Sequence, residues 1–295
     1  MSLKLKGYIL ALVSAITYGM IPLYMIPIKQ STLSLDDALF YRFAIGGVFI
    51  LGFLIYRKER LQVNFRELLI FKILGLLYAL SSEFLFAAYD YLTPGIASTI
   101  FFMYPIVVAL ILGLFFKEKI TLATVISLLI VVLGVGFLSV KDTDSFSINF
   151  FGLFIGLMGA VIYGIYMVVV NKSKLTASGI KITFYSMLFS SIYFLVKSMI
   201  INGFVEIPTV DMGIHLTAFS LITTVLSILT LVYAIYYIGS TPTAIIGAVE
   251  PIVAVGISVF LFGELLTKNL IFGVLLIITG VLISILFGRK KGKSK

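Results

Sequence analysis

The sequence predicts an all-α membrane protein of ten transmembrane helices, arranged as two five-helix repeats of opposite orientation. Three observations predict it. The 295 residues are 61% hydrophobic, with a mean hydropathy of +1.17, and a soluble domain cannot hide that much apolar surface, so lipid must be the solvent. The apolar residues fall into runs of about 20, the length that crosses a hydrocarbon core. The chain also repeats itself at an offset of about 146 residues (234 minus 88).

The repeat is read residue by residue. Ala88, Tyr91, Pro105, Ile106 and Val107 return as Ala234, Tyr237, Pro251, Ile252 and Val253. Phe116, Glu118, Thr121, Leu129, Gly134 and Val135 return as Phe262, Glu264, Thr267, Leu275, Gly280 and Val281. Ala15, Tyr18 and Gly19 of the opening helix match Ala160, Tyr163 and Gly164. The two units are 1–145 and 146–295. With an odd number of spans in each, the second inserts upside down, an arrangement typical of secondary transporters whose site lies between the halves near the midplane.

The expected spans follow in order. The first, 5–28, comes after Lys4 and Lys6 and resembles a signal peptide, but its apolar run is too long and its repeat partner is an internal helix, so it is read as an uncleaved span. The others are 36–56, 68–89, 93–115, 120–139, 149–171, 178–201, 213–236, 241–262 and 267–287. Short connections leave no room for a soluble domain.

Lysine and arginine bias sets the direction. One side carries Lys4, Lys6, Arg57, Lys58, Arg60, Arg66, Lys117, Lys119, Lys172, Lys174, Lys181 and the tail Arg289, Lys290, Lys291, Lys293 and Lys295; the other carries only Lys29, Lys141, Lys197 and Lys268. Both termini are therefore expected in the cytoplasm, with the protein multi-pass in a bacterial or archaeal inner membrane. Lys117-Glu118-Lys119 returns as Gly263-Glu264-Leu265, the glutamate kept and both lysines lost, as a loop that changes side should be.

The local pattern is a mid-helix proline, an apolar run, then Glu and Thr opening a helix that ends in Gly-Val. It reads Pro105…Phe116-Lys117-Glu118…Thr121…Gly134-Val135 and again Glu250-Pro251…Phe262-Gly263-Glu264…Thr267…Gly280-Val281. In a ten-span frame this resembles the bacterial EamA-type members of the drug/metabolite transporter superfamily. The resemblance covers essentially the whole chain. It implies a carrier of small organic metabolites, often an exporter of amino acids or related compounds, and does not name the metabolite.

Ionisable side chains inside a span cost about 2.5–3.5 kcal/mol on insertion scales, so each needs a reason. Glu250 lies about ten residues into the ninth span, on a small-residue face with Thr243, Gly247 and Ala254. Pro251 cannot donate a backbone hydrogen bond and frees the carbonyl of Gly247, which is tolerated where backbone lines a cavity. Glu250 is thus a candidate proton site or counter-charge for a cationic group; a protonated glutamate bonding a neighbouring helix is the alternative. Glu83 and Asp90, seven apart, share a face toward the outer end of the third span. Arg42 lies in the outer third of the second. These three are expected to form an ion pair, Arg42 with Glu83 ahead of Asp90, or an outer gate, or Arg42 holds a substrate carboxylate.

Tyr18 and Tyr163 are equivalent and near the repeat axis, with Tyr78 and Tyr104 in the third and fourth spans; tyrosine faces beside a carboxylate suit an amine, at about 0.5–2 kcal/mol each. For any one of the 16 tyrosines, packing is the commoner role. The hydroxyl stripe Thr223, Thr224, Ser227 and Thr230 offers substrate contacts, Ser227 foremost, or helix glue. Pro105, Pro251 and Gly247 are candidate hinges. Glu118 and Glu264 are expected to fix the turn of their own helical hairpins, beside the N-caps Thr121 and Thr267.

The chain has no cysteine, one histidine and none of the phosphate, dinucleotide or zinc signatures. No cofactor, metal, nucleic acid or nucleotide-binding subunit is expected; the partners are a small-molecule substrate, the bilayer and protons, in a monomer or homodimer. The expected function is secondary transport, in the export direction, of an amino acid, amine or related zwitterion by alternating access, with proton coupling. The alternatives are entry of a choline-like or polyamine-like cation and, remotely, a membrane-embedded lipid-modifying enzyme.

Overall fold

The computed structural model describes residues 2–117, 122–138, 149–173, 175 and 177–287. Among them the secondary structure is helical, in ten segments that coincide with the expected ones to within a few residues. These are α1 (Leu3–Lys29), α2 (Leu35–Tyr56), α3 (Phe65–Ala88), α4 (Pro94–Phe116), α5 (Leu122–Leu138), α6 (Phe150–Lys172), α7 (Gly179–Asn202), α8 (Val210–Ile238), α9 (Ser240–Gly247 with Val249–Phe262) and α10 (Lys268–Phe287). Eight are long and apolar enough to cross a membrane; α5 and the second half of α9 are shorter apolar helices. Glu118, Thr121, Lys119, Lys141, Lys174 and the basic tail lie outside the described residues.

Polar caps start the helices. Ser34, Asn64, Asn149, Ser178 and Thr267 accept hydrogen bonds from the backbone N–H three residues on, and Asn64 forms a reciprocal capping box with Glu67. At the other ends Lys117 and Gly263, equivalent in the repeat, are both left-handed (φ 55° and 70°), a conformation that costs lysine more than glycine.

Four segments are interrupted, three of them at prolines. α1 breaks at Met20, just before Pro22. α4 breaks at Phe102 and Met103, just before Pro105, and its repeat partner α9 breaks at Ala248, just before Pro251. Proline lacks the N–H and its ring clashes with the carbonyl four residues back, so the helix restarts there. α8 instead carries a π-helical turn, Leu221–Leu226.

Helix pairs occur in exchange-related sets: α1 packs on α8 as α6 packs on α3, while α2–α7, α4–α9 and α5–α10 pair across the axis. The glycines show the same symmetry atom by atom. A Cβ on Gly7 would meet Tyr237 and Ile238, and one on Gly152 would meet Tyr91 and Leu92. Gly19 lies against Glu250 O and Val253, Gly164 against Tyr104 O and Val107; Gly134 meets Gly273 O and Ile277, Gly280 meets Ser127 O and Val131. Each is a place where only a missing side chain allows such close approach. The halves also run oppositely. α1 begins beside the end of α8, whereas α6 begins beside the end of α3, where Asp90 also meets Lys29 at the end of α1.

The larger core, with Phe43, Phe71, Phe86, Phe194 and Phe219 buried, joins α2, α3, α7 and α8; a second lies among α4, α5, α9 and α10. Phe49, Leu129, Ile200 and Phe260 stay exposed on the outside, as faces that meet hydrocarbon must. Buried hydroxyls join neighbouring helices: Ser190 Oγ donates to Gly75 O (2.8 Å) and Ser220 Oγ to Arg42 O (2.7 Å).

Candidate functional site

The interruptions of α1, α4 and α9 converge. Between them lies a cavity walled by Tyr18, Gly19 and Pro22 of α1, Ser98, Phe101 and Phe102 of α4, Glu250 and Ala254 of α9, with Leu85 and Tyr89 from the end of α3. In this conformation it has room for about one or two waters.

Glu250 is the acid of this cavity. It heads the second half of α9, where its position next to the break turns its carboxylate inward. No basic side chain or hydrogen-bond donor reaches it among the described residues. Gly247 leaves space beside it; a Cβ there would stand 3.6 Å from Glu250 Oε1. Glu250 thus lines the cavity, with no hydrogen bond to a neighbouring helix among the described residues.

Tyr18 and Tyr89 line the cavity with it, and Tyr104 and Tyr163 stand behind the wall residue Phe101 (ring centroids 6.3 and 5.4 Å). Tyr104 is the repeat equivalent of Glu250 (104 plus 146), so the two related breaks present a phenol on one side and a carboxylate on the other. Tyr104 and Tyr163 meet edge to face at 4.8 Å; Tyr163 stacks on Tyr166 (5.5 Å), and Tyr78 lies 5.5 Å from Tyr166 and 6.3 Å from Tyr163. Tyr18 of α1 shares the cavity wall with Glu250. Among the described residues the hydroxyls of Tyr18, Tyr78, Tyr104 and Tyr163 have no protein hydrogen-bond partner, and Tyr18 is the one of the four that lines the cavity. Tyr89 and Ser98, which share a hydrogen bond of 3.1 Å in the cavity wall, and Tyr166 escape the sequence reading. The sequence signal for Tyr89 and Ser98 is their closeness to the α3 end and the α4 break; Tyr166, within α6, has none beyond its place three residues after Tyr163.

The expected pairing of Arg42 with Glu83 or Asp90 is corrected. Glu83 binds Lys197 of α7 (2.6 Å), which also binds Asp36 at the start of α2 (2.8 Å), and Tyr193 donates to Glu83 (3.0 Å). Asp90, half exposed, binds Lys29 (2.7 Å). Each acid that sequence spacing offered to the arginine is taken by a lysine, one from α7 and one from α1. Arg42 is buried, with Nε donating to Thr224 (3.0 Å) and its guanidinium over Phe219 at 4.5 Å, Phe86 at 5.4 Å and Phe43 at 5.5 Å.

Ser227 is also corrected as a substrate contact. Ser14 Oγ donates to Ser227 O (2.8 Å) and Ser227 Oγ to Ser14 O (3.1 Å), which fastens α8 to α1. Thr223 and Thr230 donate back to their own helix. Glu264 does not serve its own hairpin alone. Thr267 caps α10, while Glu264 Oε1 accepts from Thr93 (2.5 Å) at the start of α4 and Oε2 lies against Gly95. Burial pushes this loop carboxyl above the usual range, against the hydrogen bond from Thr93.

Two inverted helical repeats with a cavity at their interrupted helices define a multi-pass membrane protein of the transporter type. A model of the EamA-like transporter family matches residues 5–140 and again residues 150–286, and the chain belongs to that family. The family consists of transporters, so this is a membrane transporter and not an enzyme. No curated protein sequence matches the chain. Among 28 solved chains that do match in structure, one described only as "Crystal structure of protein" has a TM-score of 0.68 over 96% of this chain and 97% of its own, at 16% identity, which speaks to the fold alone.

Proposed function

We propose that the protein is a secondary transporter that exports a small amino acid, amine or related zwitterion across a bacterial or archaeal inner membrane, with ten spans and both termini in the cytoplasm. The observation that carries this reading is Glu250, a carboxylate without a partner in a cavity bounded by three broken helices and faced by tyrosines. An acid at this depth is costly and functional by default, and the helix breaks give each half a place to bend. The α4 and α9 segments rock about Pro105 and Pro251. Glu250 alternates between a proton and the amino group of the cargo, with Tyr18, Tyr78, Tyr104 and Tyr163 presenting ring faces and hydroxyls to the same group. The Lys197–Asp36–Glu83 cluster and the Lys29–Asp90 pair close the outer end.

The basic residues support the orientation. Lys6, at the start of α1, meets Tyr237 at the end of α8, and Arg57, at the end of α2, meets Tyr233. They therefore collect at one end of the bundle, as the positive-inside rule asks of a cytoplasmic face. The test is accumulation of labelled amines and amino acids in proteoliposomes under an imposed pH gradient. Concentrative, pH-dependent transport by the wild type and its loss in Glu250→Gln are expected. Unchanged kinetics across pH in that variant would refute the role of Glu250.

A further inference from the structure

Arg42 is a buried cation with no anion in ion-pair reach among the described residues. Only 2% of its surface is exposed. An arginine carries five N–H donors; one bonds Thr224, which leaves four without a hydrogen-bond partner among the described residues. Three phenyl rings box the guanidinium, and rings attract a cation without accepting its hydrogen bonds in the plane. The acids at the ends of α2 and α3 are committed elsewhere: Glu83 and Asp36 bind Lys197, Asp37 accepts from Ser198 and Asp90 binds Lys29. Phe86, which lies under the guanidinium at 5.4 Å, meets the ring of Tyr89 at 5.8 Å, and Tyr89 is a wall of the cavity that holds Glu250. Among the described residues neither the arginine nor the glutamate has an opposite charge in ion-pair reach. The Nε bond to Thr224, in the π-helical turn of α8, fixes the guanidinium plane, and a fixed fork is what recognises a carboxylate through two parallel bonds.

We propose that Arg42 is the receptor for a carboxylate of the cargo, so that the transported molecule is a zwitterion whose carboxylate binds Arg42 and whose amino group binds Glu250 and the tyrosines. This rests on the cavity being the transport site and removes simple amines from its substrate class, leaving molecules that carry both an amino group and a carboxylate. It also gives the α8 turn a role, since cargo that draws on Arg42 pulls on α2 and α8 together.

The experiment is a thermal-shift titration of the full chain in detergent at constant ionic strength. The probes are a pool of the common neutral amino acids, the methyl esters of the same amino acids, and the corresponding acids that lack the amino group. Wild type, Arg42→Gln, Arg42→Lys and Glu250→Gln are compared. The expected result is that the amino acids stabilise the wild type at lower concentration than the esters, and that Arg42→Gln erases this preference. Loss of a charge-assisted pair weakens binding by roughly tenfold to a hundredfold. Arg42→Lys keeps the charge, folds if the cation is what the site needs, and recovers part of the preference. Esters that bind wild type as well as the amino acids do, or a preference that survives in Arg42→Gln, overturn the proposal and leave the Glu250 reading standing. If no probe stabilises the wild type, the cavity does not bind this class and both readings fall.

Discussion

Gly19→Ala is the substitution whose effect the structure sets most closely. Its added Cβ would lie 2.7 Å from Glu250 O and 2.8 Å from Val253 Cβ. Carbon contacts are favourable at about 3.5–4.0 Å, so α1 and α9 must separate by roughly an ångström. A backbone carbonyl cannot rotate out of the way, and overpacking of this kind costs about 1–3 kcal/mol. Gly52 supplies the control, since a Cβ there meets nothing within 4 Å; Ala at that position removes a glycine from a helix interior and stabilises by a few tenths of a kcal/mol to about 1 kcal/mol. The assay is thermal unfolding of both variants in one detergent. At about 2–4 °C per kcal/mol for a chain of this size, Gly19→Ala melts several degrees below wild type and Gly52→Ala at or slightly above it. The α1–α9 contact borders the cavity, so Gly19→Ala also alters ligand-induced stabilisation where Gly52→Ala does not. If Gly19→Ala melts with Gly52→Ala, the close approach of α1 to the Glu250 backbone is wrong.

Three further outcomes are expected. Lys197→Met leaves Asp36 and Glu83 without their cation; both are less than a quarter exposed, so the loss is about 1–3 kcal/mol, and Lys197→Met with Glu83→Leu recovers part of it in a double-mutant cycle. Because the Glu264 carboxyl is raised in the folded state, the folded state holds its proton more tightly than the unfolded chain. Its contribution is therefore most favourable below the unfolded pKa and declines as pH rises through the folded one; in Glu264→Gln the pH slope of unfolding across the carboxylate range flattens. The chain has no cysteine, so Thr93→Cys with Glu264→Cys can be oxidised to tie the α9–α10 turn to the start of α4. That bridge arrests transport and reductant restores it, whereas full flux through the oxidised form would show that these segments do not move apart.

Helix count and order are legible in the sequence because the bilayer fixes the length of an apolar run, and the repeat is legible because symmetric contacts demand small residues at matched places. Gly19 with Gly164 and Gly134 with Gly280 are those places. The breaks at Pro105 and Pro251 follow from proline chemistry, as does the one at Pro22, which the repeat does not share. Azimuth is what the sequence withholds. A helix that is apolar all round gives no sign of which neighbour a polar residue faces, so Arg42 and Glu83, close in depth, read as partners although Lys197 of α7 takes the glutamate. The same ambiguity applies to Ser227, whose hydroxyl turns to Ser14 and away from the cavity. Glu250 and its tyrosines are legible because repeat symmetry places them at the axis whatever the azimuth of the other spans.

The most direct test of the account is the two-sided accessibility of the cavity. Ser98→Cys on the cysteine-free chain puts one thiol in the wall opposite Glu250, and a membrane-impermeant maleimide can be applied from either face of oriented proteoliposomes. Alternating access predicts labelling from both faces, with cargo changing the ratio of the two rates. Labelling from one face only, with and without cargo, would contradict it.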